Sequence, residues 1–145
     1  MNTARVVVCL VALASLAAGC STSSAPLTSP SATLTPGQLA GTWKLVSIRP
    51  AGQAEQATPV GVTYALTFAD GRLSVRADCN TCGGEFALSG QTLTAGPALA
   101  CTRAACPTME FESVYTRLLS GEGTVTLSDS TLVLSSPRGV LRFVR

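Results

Sequence analysis

An α+β domain is the architecture that the sequence predicts for residues 37–145: a small curved antiparallel β-sheet or partly closed barrel with one helix packed on it. Three observations predict it. From Gly41 onward, apolar and polar residues alternate in short runs, the period-two pattern of half-buried strands. Turn formers such as Asp70-Gly71 and Ser128-Asp129-Ser130 separate those runs at hairpin spacing. Only between Thr108 and Leu119 does the apolar spacing lengthen to three and four, as on one helix face.

In chain order, Gly41–Ile48 is the first strand, with Trp43, Leu45 and Ser47 on one side and Lys44, Val46 and Ile48 on the other. The stretch rich in Gly, Pro, Gln and Ala from Pro50 to Gly61 reads as a loop. Val62–Phe68 and Arg72–Asp78 form a hairpin about Asp70-Gly71, with Leu73, Val75 and Ala77 on one face. Glu85–Leu88 and Thr92–Ala95 form a second hairpin, turning at Ser89-Gly90-Gln91. The helix comes next, with Met109, Phe111, Val114, Tyr115, Leu118 and Leu119 as its apolar face. Glu110 and Glu112 suit its first turn, where the helix dipole favours acids, and Gly121 suits its exit. Thr124–Leu127, Thr131–Leu134 and Val140–Phe143 then make an antiparallel meander.

The first twenty residues speak to compartment. Arg5 is followed by an uncharged, mostly apolar run, Val6–Ala18, too short for a ~30 Å hydrocarbon core and typical of an export signal. It ends in Leu16-Ala17-Ala18-Gly19-Cys20, which resembles a bacterial lipobox. That resemblance implies removal of residues 1–19 and acylation of Cys20, so that lipid chains hold the protein on a bilayer. Residues 20–36, rich in Ser, Thr, Ala and Pro and without charge, read as a tether. The expected location is the cell envelope, on the outer membrane or periplasmic face if the host has two membranes.

Charge and composition narrow the chemistry. The formal net charge is +2 with Arg5 included, and the basic residues are scattered along the chain, which argues against nucleic acid as a partner. The chain has no histidine, so the commonest general base and metal ligand is missing. Asp78 and Glu85 flank the cysteine segment and are the acid pair that could meet there. Without a nucleophile beside them they make a thin site. No catalytic residue, metal ligand or cofactor is expected. Asn80 reads as a turn former beside Gly83-Gly84.

Four cysteines fall in the domain, as Cys79-x-x-Cys82 and Cys101-x₄-Cys106. In an exported chain an even count reads first as disulfides rather than zinc. A redox Cys-x-x-Cys needs a helix start to depress a thiol pKa, and here Gly83-Gly84 and a strand pattern come after it instead. Three pairings are open on spacing alone.

Several segments together carry a family resemblance. Leu39–Ser47 with its Trp43, Asp78–Phe86 with Cys79-Asn80, and Thr102-Arg103-Ala104-Ala105-Cys106 ahead of the helix resemble the META/HslJ family of small domains, frequently lipoproteins. The likeness runs from Leu39 to Phe143. Cys79 and Cys106 match the family's two cysteine positions. The resemblance therefore implies a Cys79–Cys106 bridge, with Cys82–Cys101 nested inside it. It carries no activity, only a loose association with envelope stress and surface or secreted proteins. The expected function is a non-catalytic, lipid-anchored envelope domain in a stress or interaction role, with the membrane as one partner and an envelope protein as a possible second. A lipocalin-like small barrel holding an apolar ligand is the first alternative. Its Gly41-Thr-Trp43 start fits, but the late helix leaves few strands for eight-stranded closure. A secreted protease inhibitor is the second.

Overall fold

The computed structural model describes residues 33–96 and 99–145. The expected signal, the lipidation residue Cys20 and most of the expected tether lie outside the described residues. The last tether residues belong instead to the domain. Thr35 precedes a one-turn helix, α1 (Pro36–Leu39), and Leu34 donates its backbone N–H to the Gly90 carbonyl at 3.2 Å.

Ten strands make up the described sheet: β1 (Gly41–Pro50), β2 (Gln56–Ala57), β3 (Tyr64–Ala69), β4 (Arg72–Ala77), β5 (Asn80–Ser89), β6 (Thr92–Ala95), β7 (Ala100–Cys101), β8 (Gly121–Ser128), β9 (Thr131–Ser136) and β10 (Gly139–Val144). The helix α2 (Met109–Leu119) lies between β7 and β8. Eight of the strands run in the order β1-β3-β4-β5-β6-β8-β9-β10, and β10 pairs back onto β1 to close an antiparallel barrel. Closure corrects the expectation that the chain has too few strands for it. The reason is the length of β1 and β5. β1 pairs with β3 at Gly41–Lys44 and with β10 from Lys44 to Pro50, while β5 pairs with β4 at Asn80–Glu85 and with β6 at Phe86–Ser89. Each long strand thus serves successive neighbours, which gives the stagger a barrel needs.

Local chemistry sets the turns. Asp70 and Gly71 have φ of 48° and 73°, the paired positive values that match a two-residue turn to the twist of its strands. Asp78-Cys79 forms a second two-residue turn, with Ala77 opposite Asn80. Here β5 starts earlier than its alternation predicts, because its Cys and Gly residues carry no apolar pattern and the pairing with β4 organises them. Gly139 has a φ of 147°, and a side chain there would strike the backbone of Arg49 and Pro50, so glycine is what lets β10 begin flush against β1.

The strand faces match the predicted alternation with one break. Register between β1 and β10 shifts between Leu45 and Ser47, leaving Val46 as an extra residue. Such a bulge reverses the inward–outward sense of the residues beyond it. Ile48, expected outside with Lys44 and Val46, is therefore fully buried. Side chains fill the barrel: Trp43, Leu66, Phe68, Leu73, Val75, Leu93, Val125, Leu132, Leu141 and Phe143 are all buried in one cluster.

The two helices lie at opposite ends. α1 covers the end reached by the Asp70-Gly71 turn, with Leu39 buried and the Trp43 indole N–H donating to the Leu39 carbonyl at 2.8 Å. The Arg145 guanidinium lies 3.9 Å over the Trp43 ring. α2 covers the end that carries the β4–β5 and β9–β10 turns. Tyr115, Leu118 and Leu119 are buried there, and Arg138 in the β9–β10 turn donates to the Ser120 carbonyl. Met109, expected on the apolar face, is half exposed because it precedes the turns that reach the barrel.

Candidate functional site

Between β6 and α2 the chain makes an excursion whose only described regular structure is the two-residue β7. Such a segment has little apolar surface to bury against its ordering entropy. Two cross-links hold it. Cys79 in the β4–β5 turn is bonded to Cys106, just before α2, and Cys82 on β5 is bonded to Cys101, its direct cross-strand partner on β7. All four domain cysteines are thus in bridges, on the pairing that the family resemblance implies.

Asn80 sits at the centre of this junction, 1% exposed. Its Oδ1 accepts from the Ala104 backbone N–H at 2.8 Å and from Thr102 Oγ1 at 2.9 Å. Its Nδ2 donates to the Ala104 carbonyl at 3.0 Å and to Glu112 Oε2 at 2.9 Å. One side chain therefore ties β5, the excursion and α2 together. The turn-former role expected for it falls instead to Asp78, whose φ is 57°. Nothing local in the sequence links Asn80 to Glu112, 32 residues away.

Beside this network, Tyr64 on β3 shares a 2.7 Å hydrogen bond with Thr108 Oγ1, which donates to Asp78 Oδ2 at 2.6 Å. Burial raises the Tyr64 pKa; the Thr108 hydrogen bond works against the rise, and the Asp78 and Glu112 charges add to it. The Tyr115 hydroxyl donates to the Ala65 carbonyl at 3.2 Å, and full burial drives its pKa far above the ordinary tyrosine value, with Tyr64 adding to the rise. Tyr64 meets Phe111 and Tyr115 edge-on, with ring centroids 4.9 and 5.4 Å apart.

The acid pair suggested by the sequence does not form. Glu85 lies opposite Arg72, at the far end of the β4–β5 hairpin from Asp78. Asp78 and Glu112 hold hydrogen bonds that lock the excursion, and Glu110 stays in the first turn of α2.

Outside the barrel, α2 is a ridge between two open grooves. The larger, about 710 Å³, runs between α2 and the β1–β3 connection. Pro59, Pro107, Phe111 and Val114 give it apolar walls, and Gln53, Gln56, Glu110 and Arg117 give it polar edges. The smaller lies on the other flank, between α2 and the stapled excursion, with Leu99, Arg103, Met109 and Glu112 on its walls. Ser113 borders both.

Barrel and helices define a class: a small closed antiparallel β-barrel whose interior is filled by its own side chains. Within that class, a family model described as the META domain matches residues 32–145, and the chain belongs to the META domain family. Among solved structures, an NMR structure of a protein from Burkholderia xenovorans is similar at 25% identity and TM-score 0.63, over 78% of this chain and 89% of that one. A second protein solved by NMR is similar at 26% identity and TM-score 0.61, over 77% and 94%. A crystal structure of a lipocalin-like protein from Bacteroides uniformis ATCC 8492 aligns at 18% identity and TM-score 0.48, over 75% and 99%. Comparison with curated proteins finds none that matches.

Proposed function

We propose that this META domain is a non-catalytic module of the bacterial cell envelope, anchored by acylation of Cys20, that binds an envelope protein through the grooved surface around α2. The observation that carries the reading is the contrast between a filled barrel and an open, braced exterior. With Trp43, Phe68, Leu132 and Phe143 in the interior, recognition falls to the outside. There, grooves with walls of mixed character border a helix that two disulfides and Asn80 hold in place. Rigid, partly apolar walls lower the ordering cost of binding, and Gln53 and Gln56 offer hydrogen bonds to an extended segment. A non-catalytic role agrees with the structural duties of the acids, since Asp78 and Glu112 are engaged within the junction.

Two measurements test this. Mass spectrometry of protein taken from native membranes should find a mature N-terminus at Cys20 bearing acyl chains. A soluble product cleaved elsewhere would end the lipoprotein reading. A photo-crosslinking side chain at Ser113, on the ridge between the grooves, should capture a discrete envelope protein, while one at Thr126 on the outer face of β8 should not. Equal capture at both positions would remove the α2 surface as the site.

A further inference from the structure

Basic residues that are scattered in the sequence come together when the barrel closes. Lys44 and Arg49 lie on β1; Arg142 lies on β10, Arg145 just after it and Arg138 in the turn before it. All five are exposed. They are half of the chain's ten Lys and Arg residues. Lys44, Arg49 and Arg142 share one face only because β10 pairs with β1, while Arg145 stacks on Trp43 at the α1 end and Arg138 binds the Ser120 carbonyl at the α2 end.

The register makes the pattern explicit. On the outer side of β1, β10 and β9, one row reads Lys44, Val144, Thr131 and the next reads Ser47, Arg142, Val133, with Ser47 buried. The third reads Arg49, Val140, Ser135. Valine and arginine therefore alternate along β10, and each cation has a valine neighbour across strands spaced ~4.8 Å apart. The bulge residue Val46, 40% exposed, lies between Lys44 and Ser47 on β1 without a partner of its own on β10. Among the described residues, Glu55 is the acid that approaches the array, 4.0 Å from Arg142, and it also accepts a hydrogen bond from Ser47. No aromatic side chain faces outward among these nine residues, so the array lacks the stacking platform that single-stranded nucleic acid uses.

We propose that the outer face of β1, β10 and β9 docks on an anionic phospholipid surface. Interspersed cations and short apolar side chains suit a headgroup layer, where phosphates attract Lys and Arg and the valines meet the shallow apolar boundary. Each basic residue is worth roughly fivefold in binding to an anionic leaflet, within a Debye length of the surface. The inference does not depend on acylation of Cys20; it adds a second contact that would set how the barrel lies against the membrane.

Flotation of the full chain carrying Cys20→Ser, with vesicles of phosphatidylcholine alone or mixed with phosphatidylglycerol, tests it. A leader, if retained, is common to every variant and carries its own Arg5, so the quantity read is the ratio of binding between vesicle types and its change on substitution in the domain. The ratio should clearly favour phosphatidylglycerol at low salt and collapse at high salt. Arg49→Glu with Arg142→Glu should cut it by roughly 30-fold or more. Arg72→Glu with Arg76→Glu makes the same charge change on β4 and should leave most of it. Circular dichroism should show that both variants stay folded. Equal binding to the two vesicle types, or equal loss in both double variants, overturns the proposal. So does a face that ignores vesicles and binds RNA or an acidic protein instead.

Discussion

The two ends of the barrel are closed by different physics. At the α1 end a four-residue helix runs straight into β1, so the plug is local in sequence: Leu39 packs inward, Trp43 reaches back four residues to its carbonyl, and Arg145 stacks on the indole. Little chain must be ordered, and apolar burial with one cation–π contact suffices. At the α2 end the chain must fix an excursion with little regular structure before it can lay a helix across the opening. That end carries both disulfides and Asn80. Apolar packing closes an end cheaply where the chain is short; where the chain is long, cross-links and a satisfied polar group supply what burial cannot.

The largest effect is expected at the α1 end. Trp43→Ala empties a fully buried site at the base of the core and should cost about 3–5 kcal/mol, seen as an early, cooperative loss of the whole barrel in denaturant. A loss confined to residues 33–40 by hydrogen exchange would mean that α1 is an appendage rather than a plug.

Next is the outer staple. Replacing Cys79 and Cys106 together by Ala opens a loop of 27 residues and should cost roughly 3–4 kcal/mol in the chain-entropy model. Hydrogen exchange should then show residues 99–108 opening before the strands. The Cys82–Cys101 pair, separated by 19 residues and nested within the first loop, should matter less when removed. Peptide mapping without reduction checks the connectivity beforehand. Bridges between Cys79 and Cys82, and between Cys101 and Cys106, would dissolve the contrast between the ends.

The smallest effect sharpens the α2 end alone. Tyr115 ionises near its ordinary value of 10.0 when unfolded but is held protonated when folded. Above about pH 10 the unfolded state therefore binds fewer protons, and stability falls by about 1.4 kcal/mol per pH unit for this group. Below about pH 10 that contribution is intact. Tyr115→Phe should flatten the alkaline limb of a stability–pH curve; an unchanged slope would assign the alkaline sensitivity elsewhere.

The strands legible in the sequence are those whose alternation is unbroken. β4 has Leu73, Val75 and Ala77 inward, as its period-two pattern predicts, and α2 keeps its three-and-four spacing from Tyr115 to Leu119. Asp70-Gly71 is legible as a turn because few residues accept two positive φ values in succession. β5 is only half legible, since Cys82, Gly83 and Gly84 carry no pattern of their own. Asn80 is visible as a residue but not as a hub, because its partners at Ala104 and Glu112 are distant in sequence.

By itself, the sequence determined the type and order of the main elements, the tight turns and the residues available for bridging, because periodicity and backbone propensity are local properties. Closure of the barrel, the bulge that turns Ile48 inward, the Asn80–Glu112 contact and the gathering of Lys44, Arg49 and Arg142 on one face were decided only by tertiary structure. Each depends on which strand lies beside which and in what register, and register is set by the whole core at once.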